Sequence, residues 1–476
     1  MVKKFALKAT ALAAVATLGG LYLTATVAKA AASIYGLIMG PADQRGGFVL
    51  GINAFSKEER VAFETLLEGF QDALVLSKAV SIFRTNSTEM ERSADTIWRP
   101  MPYILPSFSG MNQTANFADS TQLAVPARIG FSSSVPWQMD AKELRDALQE
   151  DRLGSAARDR VASDINVAVT ALACLQGTQI VKRSAAASGF DDVAQAEALF
   201  NEQGVPMGDR FAAVSTRDYN GMASNLQVAT RTLGNAKSDT AYERALIGRN
   251  VAGFEAIKLD YATRLAAAAG VTVTVNGAAQ RYVPRATSTA GTGEVSNVDN
   301  RYQNLSIGVT SGLVKVGDCF TIAGVNAVHL ITKQDTGQLK TFTISAIVTG
   351  GGGGGVVQIS PPIIAADSAP TRAETQYKNV TATPANGAAI TFLNTASGFH
   401  NPFWHKSAIE LLPARYAVPS DAGVAVMRGT TDQGIELVMQ KFYDINTMLT
   451  KYRLDGLWGV CAVNPEMMGR ILFSQP

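Results

Sequence analysis

The chain has 476 residues, of which 47% are apolar and 17% are charged, with 42 basic and 40 acidic side chains. This length is too great for one hydrophobic core and predicts about three domains, and the apolar content excludes wholesale disorder. The net charge of +2 excludes a protein that grips nucleic acid over its whole surface, because that requires a large excess of Lys and Arg.

The first 30 residues have the pattern of a secretory signal peptide. Three lysines within the first eight residues precede an uncharged run from Ala9 to Ala28, and Val27–Ala30 resembles a small-residue cleavage site. The run is rich in Ala, Thr and Gly, which makes it a poor membrane anchor. Residues 31–52 are glycine-rich and predict a linker or loose hairpin. This start favours an exported bacterial surface or envelope structural protein with a cleaved signal peptide as one hypothesis.

A helix is predicted to begin at Ser56, which stands three residues before Glu59 in the spacing of a capping box. An apolar stripe at helical spacing follows, which is typical of a face packed on its own core or on another chain. The stripe consists of Phe63, Leu66, Leu67, Phe70 and Leu74.

Residues 92–123 form a long proline-rich excursion. Pro100, Pro102 and Pro106 exclude a helix and permit edge strands or an extended loop. A segment of this length is costly to leave unsupported, so it is predicted to rest on its own domain or on a neighbouring subunit. Its aromatic side chains are Trp98, Tyr103, Phe108 and Phe117.

The stretch from about Ala141 to Gln176 carries the longest helical pattern, with apolar residues on one face and charges on the other. Gly154 is predicted to break or kink it. At about 1.5 Å per residue, such a helix spans more than about 40 Å. The pattern therefore predicts a long spine rather than a small globular element.

An island of strand pattern, from about residue 270 to 364, interrupts a largely helical chain. Period-two alternation between turn residues predicts short antiparallel strands with one exposed face, and hence a small β-barrel carried on a host domain. Gly350–Gly355 is predicted to be a flexible surface turn and not a phosphate loop, because no Lys-Ser/Thr follows. The predicted strands are Leu305–Val309, Cys319–Ile322, Thr341–Val348 and Val356–Ile359.

Residues that carry chemistry are sparse. The motifs HExxH, GxSxG, GxxxxGK[ST] and a strand-linked GxGxxG are missing from the sequence. His400 and His405 bracket a short turn but have no evident third metal ligand. We therefore predict no enzyme activity, no cofactor and no metal site. The cysteines are far apart and are predicted to be buried thiols: Cys174, Cys319 and Cys461.

Several short segments, in the same order over residues 53–470, resemble the major coat protein of short-tailed double-stranded DNA bacteriophages. The similar group is the one whose shell subunit carries an inserted β-barrel. The segments are Arg92–Pro100, Arg249–Glu255, Asn297–Tyr302, Val316–Asp318, Ile322–Val325, Asn401–Trp404, Asp444–Thr447, Leu457–Val460 and Asn464–Glu466.

This resemblance implies an α+β phage-capsid fold of the Hong Kong 97 type, with axial and peripheral domains and an inserted six-stranded β-barrel. The implied division is an N-terminal extension (1–52), an N-arm helix (53–90), an extended loop (91–122), a peripheral domain with a spine helix (123–176), the first part of the axial domain (177–262), the inserted barrel (263–396) and the axial/peripheral return (397–476).

The resemblance also implies the function. The chain is expected to self-assemble into an icosahedral shell of hexamers and pentamers that encloses the double-stranded DNA of a tailed phage, without sequence-specific binding and without a membrane. The expected partners are further copies of the chain, a scaffolding protein and a portal protein, and the expected location is the virion capsid, assembled in the host bacterial cytoplasm. Residues 1–52 have no counterpart in the family and are predicted to add intersubunit contacts.

Six residues are candidate intersubunit contacts. Three are aromatic residues of the extended loop, and three are charged residues in or beside the segment Tyr282–Ser296, which resembles the insert's protruding loop. For the charged residues, the alternative is that they are solvated loop side chains. The candidates are Trp98, Tyr103, Phe108, Glu294, Asp299 and Arg301.

Overall fold

A computed structural model of the chain describes residues 55, 57–83, 96–140, 142–143, 147–231, 250–259, 261–269, 272–351, 354–418 and 423–476. The signal-like segment, the linker at 31–52, the capping residue Ser56 and the coat-protein-like residues 92–95 lie outside the described residues.

Five α-helices lie in the described part of the chain: α1 (Lys57–Ala73), α2 (Ala147–Gln176), α3 (Phe190–Gln203), α4 (Thr216–Arg231) and α5 (Arg372–Tyr377). Short 3₁₀ helices stand at Leu76–Ala79, Thr114–Asn116, Lys406–Ala408 and Pro465–Met467.

The described strands of the first half are β1 (Ser81–Ile82), β2 (Thr96–Pro100), β3 (Ala124–Arg128), β4 (Phe131–Met139), β5 (Gln179–Lys182), β6 (Arg210–Ser215), β7 (Asn250–Val251), β8 (Phe254–Leu259), β9 (Arg264–Leu265), β10 (Thr272–Val275), β11 (Thr287–Thr289) and β12 (Val295–Asn297). Those of the second half are β13 (Gln303–Ser311), β14 (Cys319–Val328), β15 (Asp335–Gly351), β16 (Gly354–Ser360), β17 (Ala389–Phe392), β18 (Gly398–Phe399), β19 (Asn401–His405), β20 (Ile409–Pro413), β21 (Ala425–Thr430), β22 (Glu436–Asp444), β23 (Leu449–Ala462) and β24 (Met468–Leu472).

One sheet has the order β1-β20-β23-β22-β21, with β4 also paired to β23. Helices α1 and α2 share the largest core cluster with it, in which Phe70, Val161 and Leu454 are completely buried. The predicted stripe of α1 therefore packs inside its own subunit. Long-range pairing defines this sheet, because β4 meets β23 more than 300 residues later.

Helix α2 runs without interruption through Gly154, so the predicted break is wrong. A Cβ at position 154 would lie 3.4 Å from Leu66 Cδ1 of α1, which is an ordinary van der Waals distance, so α2 packs closely on α1 at this glycine. Glycine costs helix propensity, but tertiary packing offsets that cost here. The 30 residues of α2 span about 45 Å at the standard helical rise.

A second six-stranded sheet has the order β5-β24-β19-β6-β8-β7 and packs against α3 and α4. Its core holds three aromatic rings in mutual contact, with centroid distances of 4.8–5.8 Å: Phe200, Phe254 and Phe403. Strands before and after the insert thus share one sheet. The division into axial and peripheral domains stays a prediction.

The insert is a closed barrel of six strands in the order β10-β13-β16-β15-β14-β17, which confirms the predicted barrel and the α+β class. Its core includes Leu305, Phe320, Phe342 and Ile359, all at most 1% exposed. The four predicted strands lie in β13 to β16, whereas β10 and β17, which complete the barrel, were not predicted.

The glycine run is mostly strand rather than loop. Gly350 pairs with Gly355 and Gly351 with Gly354, so the β15–β16 ladder includes these four glycines, and positions 352 and 353 lie outside the described residues. A Cβ on Gly355 would clash with the carbonyl oxygen of Thr349. The prediction of a flexible surface turn over 350–355 is therefore wrong for these four positions. Glycine serves here for close backbone approach.

Candidate assembly surfaces

The proline-rich excursion is a hairpin with a long irregular end. Strands β2 and β3 pair in antiparallel register, with Trp98 opposite Pro126, and residues 101–123 connect them. Trp98 is half-buried on β2. Pro102 and Pro106 lie in this connecting segment, in agreement with the prediction of an edge strand or loop. In the structure the name extended loop is kept for residues 101–123, so that Trp98 lies on the adjoining strand β2 and not in the loop.

The end of the extended loop is apolar and exposed. Tyr103 is 54% exposed and donates its hydroxyl to Gln122 Oε1 at 2.8 Å. Phe108 is 42% exposed. Leu105, Met111 and Phe117 are more exposed still. Several large exposed apolar side chains on one segment are typical of an interaction surface.

The base of the hairpin is fixed to the host sheet. Arg99 on β2 makes a bidentate ion pair with Glu410 on β20, at 2.7 and 3.0 Å. Its guanidinium also lies 3.2 Å from the ring centroid of Phe83. Bidentate, partly buried pairs of this kind are stronger than ordinary surface ion pairs.

The extended loop also lies on the barrel of its own subunit. Leu123, Ile364 and Tyr377 form a small buried cluster. Tyr377 Oη donates to the carbonyl oxygen of Thr121 at 2.9 Å, and the Thr121 amide donates to Gln376 Oε1 at 3.2 Å. The base of the excursion therefore rests on its own subunit, as the first alternative predicts, whereas its end is exposed, and contact of that end with a neighbouring subunit stays a prediction.

A second projection is the hairpin of β11 and β12, which pairs Thr287 with Asn297. Residues 289–297 are all exposed, and Glu294 lies at the tip, where its carbonyl accepts the amide of Ala290 at 2.8 Å. This hairpin corresponds to the segment that resembles a protruding loop.

Asp299 and Arg301 lie at the root of that hairpin and pair with each other. Arg301 Nη2 is 2.7 Å from Asp299 Oδ2, and Arg301 Nη1 donates to the carbonyl oxygen of Ala462 at 2.9 Å. Burial lowers the pKa of Arg301, but the hydrogen bonds that it donates to Asp299 and the negative charge around it together raise the pKa above its ordinary value. Arg301 is only 9% exposed and joins the barrel to β23. An intersubunit role for this pair stays a prediction.

An ion pair crosses from the barrel to the host. Lys340 Nζ on β15 lies 2.8 Å from Glu466 Oε1, and Asn379 donates to the same oxygen at 2.9 Å. Burial raises the pKa of Glu466, but the charge of Lys340, the hydrogen bonds from Lys340 and Asn379 and the charge of Lys333 together lower it. The Glu466 carboxylate therefore favours its charged form inside the junction.

Arg470 on β24 is completely buried where the barrel meets the end of α2. It donates to Thr343 Oγ1 of the barrel at 2.7 Å and lies 3.4 Å from the carbonyl oxygen of Gly177, just after α2. A cation is favoured at a helix C-terminus. His400 Nδ1 lies 3.4 Å from Arg470, and burial followed by this neighbouring charge lowers the pKa of His400 to about 3.

The turn between β14 and β15 inserts into the second sheet's core. Leu330 belongs to the same cluster as Phe200, and its amide donates to the carbonyl oxygen of Gln203 at 3.0 Å. The His329 ring packs on Gly204, the left-handed residue that ends α3. The sequence pattern did not identify Leu330 and His329 as junction residues, because their partners on and after α3 lie more than 100 residues away.

The three cysteines are free and buried, as predicted, and burial raises the pKa of Cys174 and Cys461 to about 11. Within the described ranges, no group of three or more His, Cys, Asp or Glu side chains is arranged to hold a metal ion. Among the described helices, none combines the length and apolarity needed to cross a membrane.

Residues 52–474 match the family model described as "P22 coat protein - gene protein 5". The chain is also similar to the CUS-3 coat protein I-domain, with 39% identity over 26% of this chain and 96% of that chain, and a TM-score of 0.20. A structure from Mycobacterium phage Che8 is 10% identical over 84% of this chain and 90% of that chain, with a TM-score of 0.40. The capsid structure of cyanophage P-SCSP1u is 12% identical over 84% and 87%, with a TM-score of 0.38.

Proposed function

The chain belongs to the P22 coat protein family and is a major capsid protein that forms the shell of a tailed bacteriophage; we propose that its copies close this shell as hexamers and pentamers around double-stranded DNA. The family match over residues 52–474, which contains the inserted barrel, is the observation that supports this function.

The shape of the subunit suits assembly through many modest contacts. The extended loop and the β11–β12 hairpin project from different parts of the chain and are anchored at their bases by Arg99 and by Arg301. Closed rings need heterologous contacts, and several weak contacts per subunit give a stable shell. We assign direct intersubunit contact to Tyr103, Phe108 and Glu294, with Trp98, Asp299 and Arg301 beside or beneath them.

The near-zero net charge supports a container that encloses DNA without binding it strongly through electrostatic attraction. The chain is proposed to act as a structural protein with no cofactor and no catalytic role. Its further proposed partners are a scaffolding protein and a portal protein, with assembly in the host cytoplasm. Residues 1–52 are proposed to lie against the shell, and unchanged shell yield and stability after deletion of residues 2–50 would contradict this.

Co-expression with the phage's scaffolding protein, followed by sedimentation and negative-stain microscopy, tests the shell. Rapidly sedimenting closed particles are expected. Mass spectrometry of the same material tests the alternative of an exported envelope protein. A chain that starts at Met1 or Val2 supports the capsid, whereas a start near Ala31 with no particles supports export.

A further inference from the structure

The short helix α5, which lies between barrel strands β16 and β17, is held by side-chain hydrogen bonds at its N-terminus and by a buried ion pair. Thr371 and Glu374 form a capping box, in which the Glu374 amide donates to Thr371 Oγ1 and the Thr371 amide donates to Glu374 Oε2. Glu374 is completely buried and also pairs with Arg281 at 3.3 Å. The helix is therefore a rigid part of the barrel surface, unlike a loop that adapts to its neighbour.

Three side chains of α5 contact the extended loop. Gln376 and Tyr377 bind the amide and the carbonyl oxygen of the same residue, Thr121, as a neighbouring strand would. Arg372, one turn earlier, places its guanidinium 5.0 Å from the ring centroid of Phe108. The bridge between Ala124 and Asp299 continues the contact toward the barrel's root.

These contacts divide the extended loop into a held part and a presented part. Thr121 and Leu123 are fixed on the barrel, whereas Leu105, Met111 and Phe117 project with more than half of their side-chain surface exposed. A loop that is held in one conformation before it binds loses less conformational entropy when it binds.

We propose that α5 clamps the extended loop of its own subunit through Gln376, Tyr377 and Arg372, and so presents the loop's apolar end to a second copy of the chain. This rests on the proposed function. The barrel would then contribute to assembly in a second way. Besides presenting its own β11–β12 hairpin, it would fix the conformation of the extended loop, which belongs to the host domain.

Hydrogen exchange in the full-length monomer tests the clamp itself. Tyr377→Phe removes one hydroxyl and leaves the Thr121 amide and its acceptor in place, so faster exchange at Thr121 reports release of the loop. Loss of one such hydrogen bond is expected to raise exchange about fivefold. Tyr282→Phe is the matched control, because Tyr282 packs on the same cluster but its hydroxyl bonds to Asn300 within the barrel. Unchanged exchange in Tyr377→Phe would overturn the clamp.

The combined variant Arg372→Ala/Gln376→Leu/Tyr377→Phe tests the consequence for assembly. This variant should release the extended loop in most monomers, while hydrogen exchange in the barrel strands stays unaltered. Shell yield should fall at least about threefold, because only monomers with a clamped loop bind a neighbouring copy well. Unchanged or increased yield with a released loop would overturn the proposal. If the wild type and Tyr282→Phe also form no shells, the proposed function fails, and the exchange comparison alone decides the clamp.

Discussion

Lys340 and Glu466 form a 2.8 Å ion pair that joins the inserted barrel to the last 3₁₀ helix of the host, with Lys340 only 1% exposed. Asn379 donates to the same carboxylate oxygen, so three segments of the chain meet at one group. The barrel therefore supplies the cation and one hydrogen bond that stabilise the Glu466 carboxylate of the host. Unfolding of the barrel is expected to destabilise the whole subunit.

Lys340→Met should destabilise the subunit by about 3 kcal/mol or more, because it leaves the Glu466 carboxylate buried without its cation. Urea unfolding of the monomer measures this. Lys451→Met is the matched control, since Lys451 is about half exposed and pairs with Asp444 at 3.0 Å, so that its loss should cost less than about 1 kcal/mol. Equal effects of the two substitutions would contradict a buried ion pair at the junction.

His400 should make the subunit sensitive to acid. Its pKa is lowered by burial and by Arg470 to about 3 in the folded chain, against an ordinary value of 6.5. Between these two values the unfolded state binds more protons, so the free energy of unfolding falls as the pH decreases from 6.5 toward 3.

His400→Gln, which does not titrate, should flatten this part of the curve of unfolding free energy against pH. The carboxylates titrate in both proteins, so the difference between the two curves isolates His400. Identical slopes between pH 6.5 and 4 would show that His400 is not held neutral.

Gly204→Ala should cost about 2 kcal/mol or more. Gly204 has φ +78°, and a Cβ there would lie 2.5 Å from His329 Cε1. The ring cannot easily move, because its Nδ1 accepts the amides of Ile331 and Thr332. Gly208→Ala has open space at its Cβ and is expected to change stability by less than about 1 kcal/mol. The melting temperatures of the two variants are compared with that of the wild type. An unchanged melting temperature for Gly204→Ala would argue against packing of the β14–β15 turn on α3.

Phe108→Ala should reduce shell formation and leave the monomer's melting temperature nearly unchanged, because the ring is 42% exposed and contributes little to the subunit's own core. The yield of sedimenting shells and the melting temperature are measured together. Met207→Ala, at a side chain 75% exposed outside the extended loop, provides the comparison. Equal shell yields for both variants would remove Phe108 from the proposed contacts.

The sequence predicted those features that depend on local periodicity. The strands from Leu305 to Ile359 alternate over enough residues to be recognised, whereas β10 and β17 have four residues each and were missed. The predicted break at Gly154 was wrong because packing on α1, which is distant in sequence, keeps α2 helical there. The predicted glycine loop was wrong because Gly354 and Gly355 pair both with the neighbouring strand β15 and with the distant strand β13. The sequence left a solvated loop side chain as one alternative for Arg301, because its hydrogen-bond partner Ala462 is 161 residues away and not visible in the local pattern.

Cryo-electron microscopy of particles formed by the full-length chain with its scaffolding protein tests whether this chain builds the shell. We expect closed icosahedral shells of hexamers and pentamers, in which each subunit carries one six-stranded barrel and its extended loop reaches a neighbouring copy. Persistent monomers or small oligomers under the same conditions would contradict it.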